Sequence, residues 1–138
     1  MAGHSVLRGL LGQYMPGQIQ FAEIEAGVVD GQSVNLVGVV GGELAGVQMP
    51  LGGYIIGVSV GSEASAGFGV TPSINGTDAA AAYDVAVTAA SAAAQATMYA
   101  TPLAFSAGDY IGLNFEGTVS AQKDMNATLF YVLDLAGG

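Results

Sequence analysis

The side chains that could carry catalysis or bind a metal are few in this chain of 138 residues. There is one histidine, His4, and there is no cysteine. A Ser-His-Asp triad would have to use His4, and a zinc site would need several carboxylates beside it. His4 lies in an N-terminal stretch where no strand or helix is predicted to hold it. We therefore expect no catalytic residue, no cofactor site, no metal site and no enzymatic activity.

Carboxylates are the remaining candidates for chemistry, and five of them could supply the paired acid and base of a hydrolase. Each falls in a predicted turn or on a strand face, where a solvated surface role is expected. The alternative is an oxygen-only calcium site near Asp124 and Glu116, although no Asp-x-Asp-x-Asp-Gly loop is present. The five residues are Asp84, Asp109, Glu116, Asp124 and Asp134.

The charge balance excludes several classes of partner. Arg8 and Lys123 are the only basic residues, and the formal net charge is −9. Nucleic acids and anionic membranes both require several cations against their phosphates, so we expect neither as a partner. No apolar run approaches the roughly 20 residues that a membrane-spanning helix needs. The N-terminus lacks a basic region followed by a full apolar stretch, so no signal peptide is predicted.

The elements of the chain are clearest in residues 102–135. Ser106–Asp109 is typical of a tight turn, and Tyr110–Glu116 alternates apolar and polar residues as a half-buried strand does. Gly117–Asn126 has the charges and small residues of a loop. Thr128–Leu135 is apolar on both faces, which predicts a strand that is central in its sheet or lies at a subunit contact. Phe130 and Val132 are therefore candidate core or subunit contacts.

Several further strands are predicted upstream. Asn75-Gly76 is the strongest hairpin signal in the chain. Pro72 cannot donate a backbone hydrogen bond, so we expect its strand to lie at an edge or to end there. The predicted strands or β-branched runs are Gln18–Ile24, Val34–Val40, Leu44–Met49, Tyr54–Val60 and Phe68–Ile74.

Residues 77–100 admit two interpretations. Their alanines favour a helix, but residues 83–88 and 95–101 alternate with β-favouring side chains, and we interpret them as two short strands joined by a loop. The whole pattern predicts an all-β, jelly-roll-like β-sandwich of about eight strands, formed by residues 18–138. Residues 1–17 show no alternation and are predicted to be an extended N-terminal arm.

The order of these elements resembles small β-sandwich proteins of tailed-phage virions. The resemblance covers residues 51–135 and is carried by the GYIIGVSV strand of Gly53–Val60, the strand end at Asn75-Gly76, the FSAGDYIGL turn of Phe105–Leu113 and the C-terminal LFYVLDL strand. These virion proteins are the capsid decoration (cement) proteins and the related jelly-roll head domains of fibres. The turn is also similar to that of trimeric jelly rolls of the C1q and tumour-necrosis-factor group, whose aromatic-rich core this sequence lacks.

The resemblance implies a structural virion protein that decorates and stabilises a capsid. The implied partners are the major capsid protein and two further copies of the chain in a homotrimer. The implied location is the capsid exterior, after assembly in the host cytoplasm. A small-residue chain with only 9% charged residues fits this expectation, because its apolar surface would be covered by neighbours. The arm would grip capsid subunits through Leu7, Arg8, Leu10, Leu11 and Tyr14.

Two other functions stay open. One is a fibre, receptor-binding or other self-assembling shell module. The other is a carbohydrate-binding sandwich, against which the absence of tryptophan counts.

Overall fold

The computed structural model describes residues 13–28, 30–34, 36–37, 46–62, 68–87, 95–117 and 119–136. These residues form nine strands and one single-turn 3-10 helix. The strands are β1 (Tyr14–Val28), β2 (Val47–Gln48), β3 (Gly53–Ser62), β4 (Phe68–Ile74), β5 (Thr77–Asp78), β6 (Val85–Val87), β7 (Gln95–Phe105), β8 (Tyr110–Glu116) and β9 (Val119–Asp134), and the helix is Ala81–Tyr83.

The strands form two antiparallel sheets. One is four-stranded in the order β1-β9-β3-β7, and the other is five-stranded, with the order β2-β8-β4 and with β5 and β6 both pairing with the far side of β4. The predicted all-β sandwich is therefore confirmed, with nine strands in the described residues rather than about eight. Most successive strands change sheet, and the first strand pairs with the last. The jelly-roll classification stays a prediction.

Alternation along the strands builds the core between the two sheets. On β8, Ile111, Leu113 and Phe115 are buried, as their spacing predicts, and on β9 Leu129 and Leu133 are buried opposite them. Burial of these side chains is the main favourable contribution to the free energy of folding in a domain of this size. The other buried apolar residues of the described part are Ile19, Phe21, Val34, Met49, Ile55, Val58, Val60, Phe68, Val70, Val85, Tyr99, Phe105, Met125 and Ala127.

The predicted loop over Gly117–Asn126 is wrong beyond its first two residues. β9 begins at Val119 and runs without a break to Asp134. Met125 is buried and pairs with Glu23 of β1 and with Ser62 of β3, whereas Asn126 is exposed. Residues that resemble a loop in the sequence are here part of a long strand.

The first strand also begins earlier than Gln18. β1 starts at Tyr14, which pairs with Asp134, and it extends to Val28. The backbone N–H of Leu135 donates to the Gln13 carbonyl at 2.6 Å, which joins the chain just before β1 to the chain just after β9. Residues 14–17 of the predicted arm thus belong to the sandwich, and residues 1–12 lie outside the described residues.

In residues 77–100, the described part forms short strands rather than an α-helix, as predicted. β5, the 3-10 turn, β6 and the start of β7 occupy the described part of this stretch, and residues 88–94 lie outside it. In the other upstream stretches, Leu36 makes an isolated bridge with Phe21 and the described residues of 34–40 form no strand, and β2 is limited to Val47–Gln48. The chain has no helix, in the part that the structure describes, that is long and apolar enough to cross a membrane.

Pro72 lies inside a central strand, contrary to the expectation of an edge or a strand end. β4 has β8 on one side, and on the other side β6 pairs with Phe68–Val70 while β5 pairs with Ser73–Ile74. Pro72 faces the gap between those two short partners, where its carbonyl accepts from the Ala79 N–H at 2.9 Å. A proline is tolerated there because its missing N–H points to the same gap.

The hairpin at Asn75-Gly76 is confirmed. Ile74 pairs with Thr77, and the two turn residues have φ of 53° and 81°. The Asn75 side chain also joins this turn to the one at residues 106–109, since its Oδ1 accepts from the Tyr110 N–H at 2.9 Å and its Nδ2 donates to Asp109 at 3.1 Å.

We expect Asn75→Ala to lower the free energy of unfolding by about 1–2 kcal/mol, because it removes both hydrogen bonds and places an alanine at positive φ. Asn75→Gly is the matched control: it removes the same bonds but relieves the backbone, so its loss should be smaller. Urea unfolding of the two variants measures the difference. An equal loss in both would contradict a backbone contribution.

Candidate assembly surface

The face of the four-stranded sheet that points away from the five-stranded sheet is here called the outer face. On β1 its side chains alternate with the buried Ile19 and Phe21. The strand register carries the same face across the sheet, since Pro16 pairs with Val132 of β9, which in turn pairs with Tyr54 of β3. Residues from strands distant in sequence therefore meet on one surface.

One half of the outer face is an apolar patch, formed by strands β1, β3, β7 and β9. The rings of Tyr14 and Tyr54 meet edge to face, with centroids 6.1 Å apart. Five residues of the patch line an open depression of about 350 Å³. Phe130 is 36% exposed and Tyr14 is 38% exposed, so large apolar groups of this face lie in contact with water. The patch comprises Tyr14, Tyr54, Ile56, Pro102 and Val132, which line the depression, and Phe130.

A β-bulge in β3 shapes this patch. The register passes from Ile55 opposite Tyr131 to Gly57 opposite Phe130, which leaves Ile56 as an extra residue on β3. The bulge resets the alternation, so Ile55 and Val58 both face the core although they are three residues apart. Gly57 is required at the bulge, because a Cβ there would lie 2.7 Å from the Thr97 carbonyl oxygen of β7.

The outer face is nearly free of charge in a chain of formal net charge −9. Among its described side chains, the one charged group is Asp134 at the end of β9, which accepts from the Ala136 N–H at 2.9 Å. Opposed carboxylates repel across a contact, and a buried carboxylate must lose its water. An acidic chain can therefore meet a second acidic surface through this face at little electrostatic cost.

The other half of the outer face is polar but uncharged. The Thr128 hydroxyl donates to the Gln20 side-chain oxygen at 2.9 Å, across paired residues of β9 and β1. Gln18 and Asn126 are exposed on the same side. An apolar centre beside neutral hydrogen-bonding groups has the composition of a protein–protein contact, in which charged residues are depleted.

The structure brings three of the sequence-predicted contact residues together. Tyr14, Phe130 and Val132 all lie on the outer face, in adjacent strands. Phe130 is thus directed to the surface rather than to the core, and its assignment to a subunit contact stays a prediction. Leu7, Arg8, Leu10 and Leu11 lie outside the described residues.

Sequence reasoning missed Tyr54, Ile56 and Pro102 as members of this surface. Tyr54 and Ile56 fall in a predicted strand and are spaced for one face, whereas Pro102 directly follows the predicted strand of residues 95–101. The missing information was the pairing of β3 with β9 on one side and with β7 on the other, which no local pattern contains.

The described candidate carboxylates lie in different parts of the fold. Asp109 closes the turn at residues 106–109, where it accepts from the Ser106 N–H at 2.9 Å, and Asp134 lies on the outer face. Asp84 and Glu116 belong instead to an acidic corner of the five-stranded sheet, together with Asp30 and Asp78. The Asp124 side chain is not among those described. No three histidine, cysteine or carboxylate side chains in the described ranges converge to hold a metal ion.

The pKa values of two of these carboxyl groups are shifted in opposite directions. Partial desolvation, then the negative charge of Asp84 and a hydrogen bond with Asp78, raise the pKa of Glu116 above its ordinary value of 4.5. Hydrogen bonds from the Ser106 N–H and the Asn75 amide lower the pKa of Asp109 below its ordinary value of 3.8.

These shifts predict a stability maximum in mildly acidic solution. The folded chain holds the Glu116 proton more tightly than the unfolded chain, so stability falls as the pH rises through the raised pKa. The contribution of Asp109 is present above its ordinary pKa and is lost as the pH falls through the lowered one. Calorimetry should therefore show Tm rising from pH 7 to about pH 5 and falling below about pH 4.

Glu116→Gln should flatten the upper limb of this pH profile, because the titrating group is removed while the side-chain shape is kept. An unchanged slope between pH 5 and pH 7 in this variant would show that other groups cause it.

Comparisons with known proteins identify no family. No model of a protein family matches the chain, and no curated protein matches it either. Among solved structures, a chain of the cyanophage Pam1 capsid asymmetric unit is similar to this one, with 11% sequence identity and a TM-score of 0.48 over 88% of this chain and 87% of that chain. A structural similarity with so low a TM-score and sequence identity supports no conclusion about function.

Proposed function

We propose that the chain is a non-enzymatic structural protein of a virion, which decorates and stabilises a viral capsid by binding capsid subunits and copies of itself. The observation that supports this most is the outer face of the four-stranded sheet, where an apolar patch is exposed and Asp134 is the one charged group among the described side chains. Contiguous apolar surface of this kind on a soluble domain is typical of a surface that a partner covers.

The size of the outer face indicates that more than one contact is needed. Four strands spaced about 4.8 Å apart, over about seven residues that rise 3.3 Å each, give a sheet area of roughly 450 Å². A stable interface buries about 800 Å² on each partner. The outer face would thus supply about half of one standard interface, and further contacts must supply the rest.

The predicted arm is the segment we assign to those further contacts. In this proposal the outer faces meet within a homotrimer, and Leu7, Arg8, Leu10 and Leu11 bind the major capsid protein on the exterior of the particle, after assembly in the host cytoplasm. Tyr14 connects the two contacts, because it lies at the start of β1 and also lines the apolar patch.

Co-sedimentation with capsids that lack this chain tests the proposal. The full chain should bind at a fixed ratio to capsid subunits. A variant lacking residues 2–12 keeps all of β1, so it should still fold and self-associate but should lose capsid binding. Unchanged occupancy of the deletion variant would contradict the role of the arm. Self-association of the full chain without any capsid binding would instead favour a fibre or other shell module.

A further inference from the structure

The turn between β4 and β5 contains a reactive pair of residues, Asn75 and Gly76, that the assembly surface does not use. In such a pair the backbone nitrogen of the glycine can attack the side-chain amide of the asparagine, because glycine has no Cβ to hinder the approach. Both residues are exposed to water, and a Cβ added to Gly76 would meet nothing within 4 Å. Packing therefore does not shield this pair from the reaction.

Hydrogen bonds to the turn between β7 and β8 nevertheless hold Asn75 in place. Its backbone N–H donates to the Tyr110 carbonyl at 2.7 Å, and its Oδ1 accepts from the Tyr110 N–H at 2.9 Å. Its Nδ2 donates to Asp109 Oδ1 at 3.1 Å, and Asp109 Oδ2 accepts from the Ser106 N–H at 2.9 Å. Both polar atoms of the Asn75 amide are thus engaged, and the charge of Asp109 strengthens the bond that it accepts.

These contacts oppose the reaction because they hold the amide in its planar ground state. For attack, the Asn75 side chain must move toward the Gly76 nitrogen, its Cγ must become tetrahedral, and its Nδ2 must leave. Each of these changes takes the amide away from the Tyr110 N–H or from the Asp109 carboxylate. The backbone also resists rearrangement, because φ values of 53° and 81° belong to a closed two-residue hairpin.

We propose that Asn75 is a site of spontaneous deamidation, and that its hydrogen bonds to Asp109 and Tyr110 restrain the reaction while the two turns stay joined. The Gly76 nitrogen forms a bond to Asn75 Cγ as the Cγ–Nδ2 bond breaks. The proton of the Gly76 N–H passes through solvent to the departing nitrogen, which leaves as ammonia. Water then opens the cyclic imide at one of its two carbonyls. The product is an aspartate or an isoaspartate at position 75.

Either product would separate the two turns. An aspartate places a second carboxylate where Nδ2 now donates, so two negative charges would face each other across the 3.1 Å that the hydrogen bond spans. An isoaspartate lengthens the backbone of the turn by one carbon, which is incompatible with the pairing of Ile74 and Thr77. The modification would therefore mark molecules in which the turns have come apart.

Rates of deamidation at position 75 test the proposal. Peptide mapping with isoaspartate detection follows the chain in mildly alkaline buffer, both folded and in urea. The folded chain should react at least about tenfold more slowly, because a hydrogen bond to a charged group must break first. Asp109→Ala should remove most of this protection. Asp134→Ala, which removes a carboxylate from the other sheet, should leave the rate unchanged.

Two further measurements keep the test independent of any one variant. If Asp109→Ala does not fold, the rate in the unmodified chain should rise with the unfolded fraction across the urea transition. Asn75→Asp reproduces the aspartate product and should lower Tm at neutral pH by about 3 °C or more. Adding Asp109→Asn to it should restore most of the loss, because an amide again faces a carboxylate across the two turns.

Any of four results would overturn the proposal: equal rates in the folded and unfolded chain, no acceleration in a folded Asp109→Ala variant, equal acceleration by Asp134→Ala, or an Asn75→Asp variant as stable as the unmodified chain. None of these measurements involves the outer face or a capsid, so their failure would leave the proposed function standing. Conversely, a chain that binds no capsid should still show the protection at Asn75.

Discussion

Phe115→Ala is expected to lower the free energy of unfolding by about 3–5 kcal/mol, among the largest effects of truncating a described side chain. The Phe115 side chain is fully buried between the sheets, and its ring meets that of Phe68 edge to face at a centroid distance of 6.1 Å. Truncation removes this contact and leaves a cavity that the surrounding strands can fill only in part. Urea unfolding monitored by tyrosine fluorescence or circular dichroism measures the loss.

Phe130→Ala is the matched control for this prediction. It removes the same atoms from a strand that is also central in its sheet, but the Phe130 side chain is 36% exposed on the outer face. Its cost should be about 1 kcal/mol or less. A loss as large as that of Phe115→Ala would mean that Phe130 is part of the core and that the outer face is wrongly assigned.

Val132→Asp is expected to weaken self-association by about a hundredfold while the sandwich stays folded. Val132 is half-buried in the centre of the apolar patch, where it pairs with Pro16 of β1 and Tyr54 of β3. A carboxylate at this position would lose its water on contact and face the same charge on the neighbouring copy. Sedimentation velocity over a range of protein concentrations measures the change.

The control for charge alone is Ala86→Asp, which adds the same carboxylate at an exposed position on β6 of the other sheet. This variant should assemble as the unmodified chain does. Equal weakening in both variants would show that total charge, rather than the outer face, governs association.

Much of the sandwich follows from local pattern. The alternation of residues 110–116 correctly places Ile111, Leu113 and Phe115 in the core, and Asn75-Gly76 forms the predicted hairpin. These predictions succeed because a strand buried on one face has a period of two, and because a tight hairpin requires residues that adopt positive φ.

The errors occur where the partners of a strand, rather than its own residues, decide its length or position. Residues 119–126 continue β9 because β1 pairs with β9 as far back as Val119, and β3 pairs with its residues Met125 and Asn126 on the other side. Pro72 is tolerated inside β4 because two short strands leave a gap beside it. Neither arrangement is visible in the composition of the segment concerned.

The candidate assembly surface was predictable only in part. The two apolar faces of Thr128–Leu135 correctly indicate a central strand, and they single out Phe130 and Val132. Tyr54 and Ile56 join them through the register of β3 with β9 and through a bulge that shifts the alternation by one residue. A one-residue shift of this kind changes which side chains share a face, and it depends on tertiary pairing.

The most direct test of the central claim, that neighbouring molecules cover the outer face, uses the absence of cysteine from the chain. Phe130→Cys places a single thiol on that face, and Ala86→Cys places one on the other sheet. Maleimide labelling rates are then compared between assembled and dissociated protein. We predict that assembly slows labelling at position 130 at least about tenfold and leaves position 86 unchanged, because the centre of an interface excludes water. Equal labelling rates at position 130 in the two states would contradict the claim.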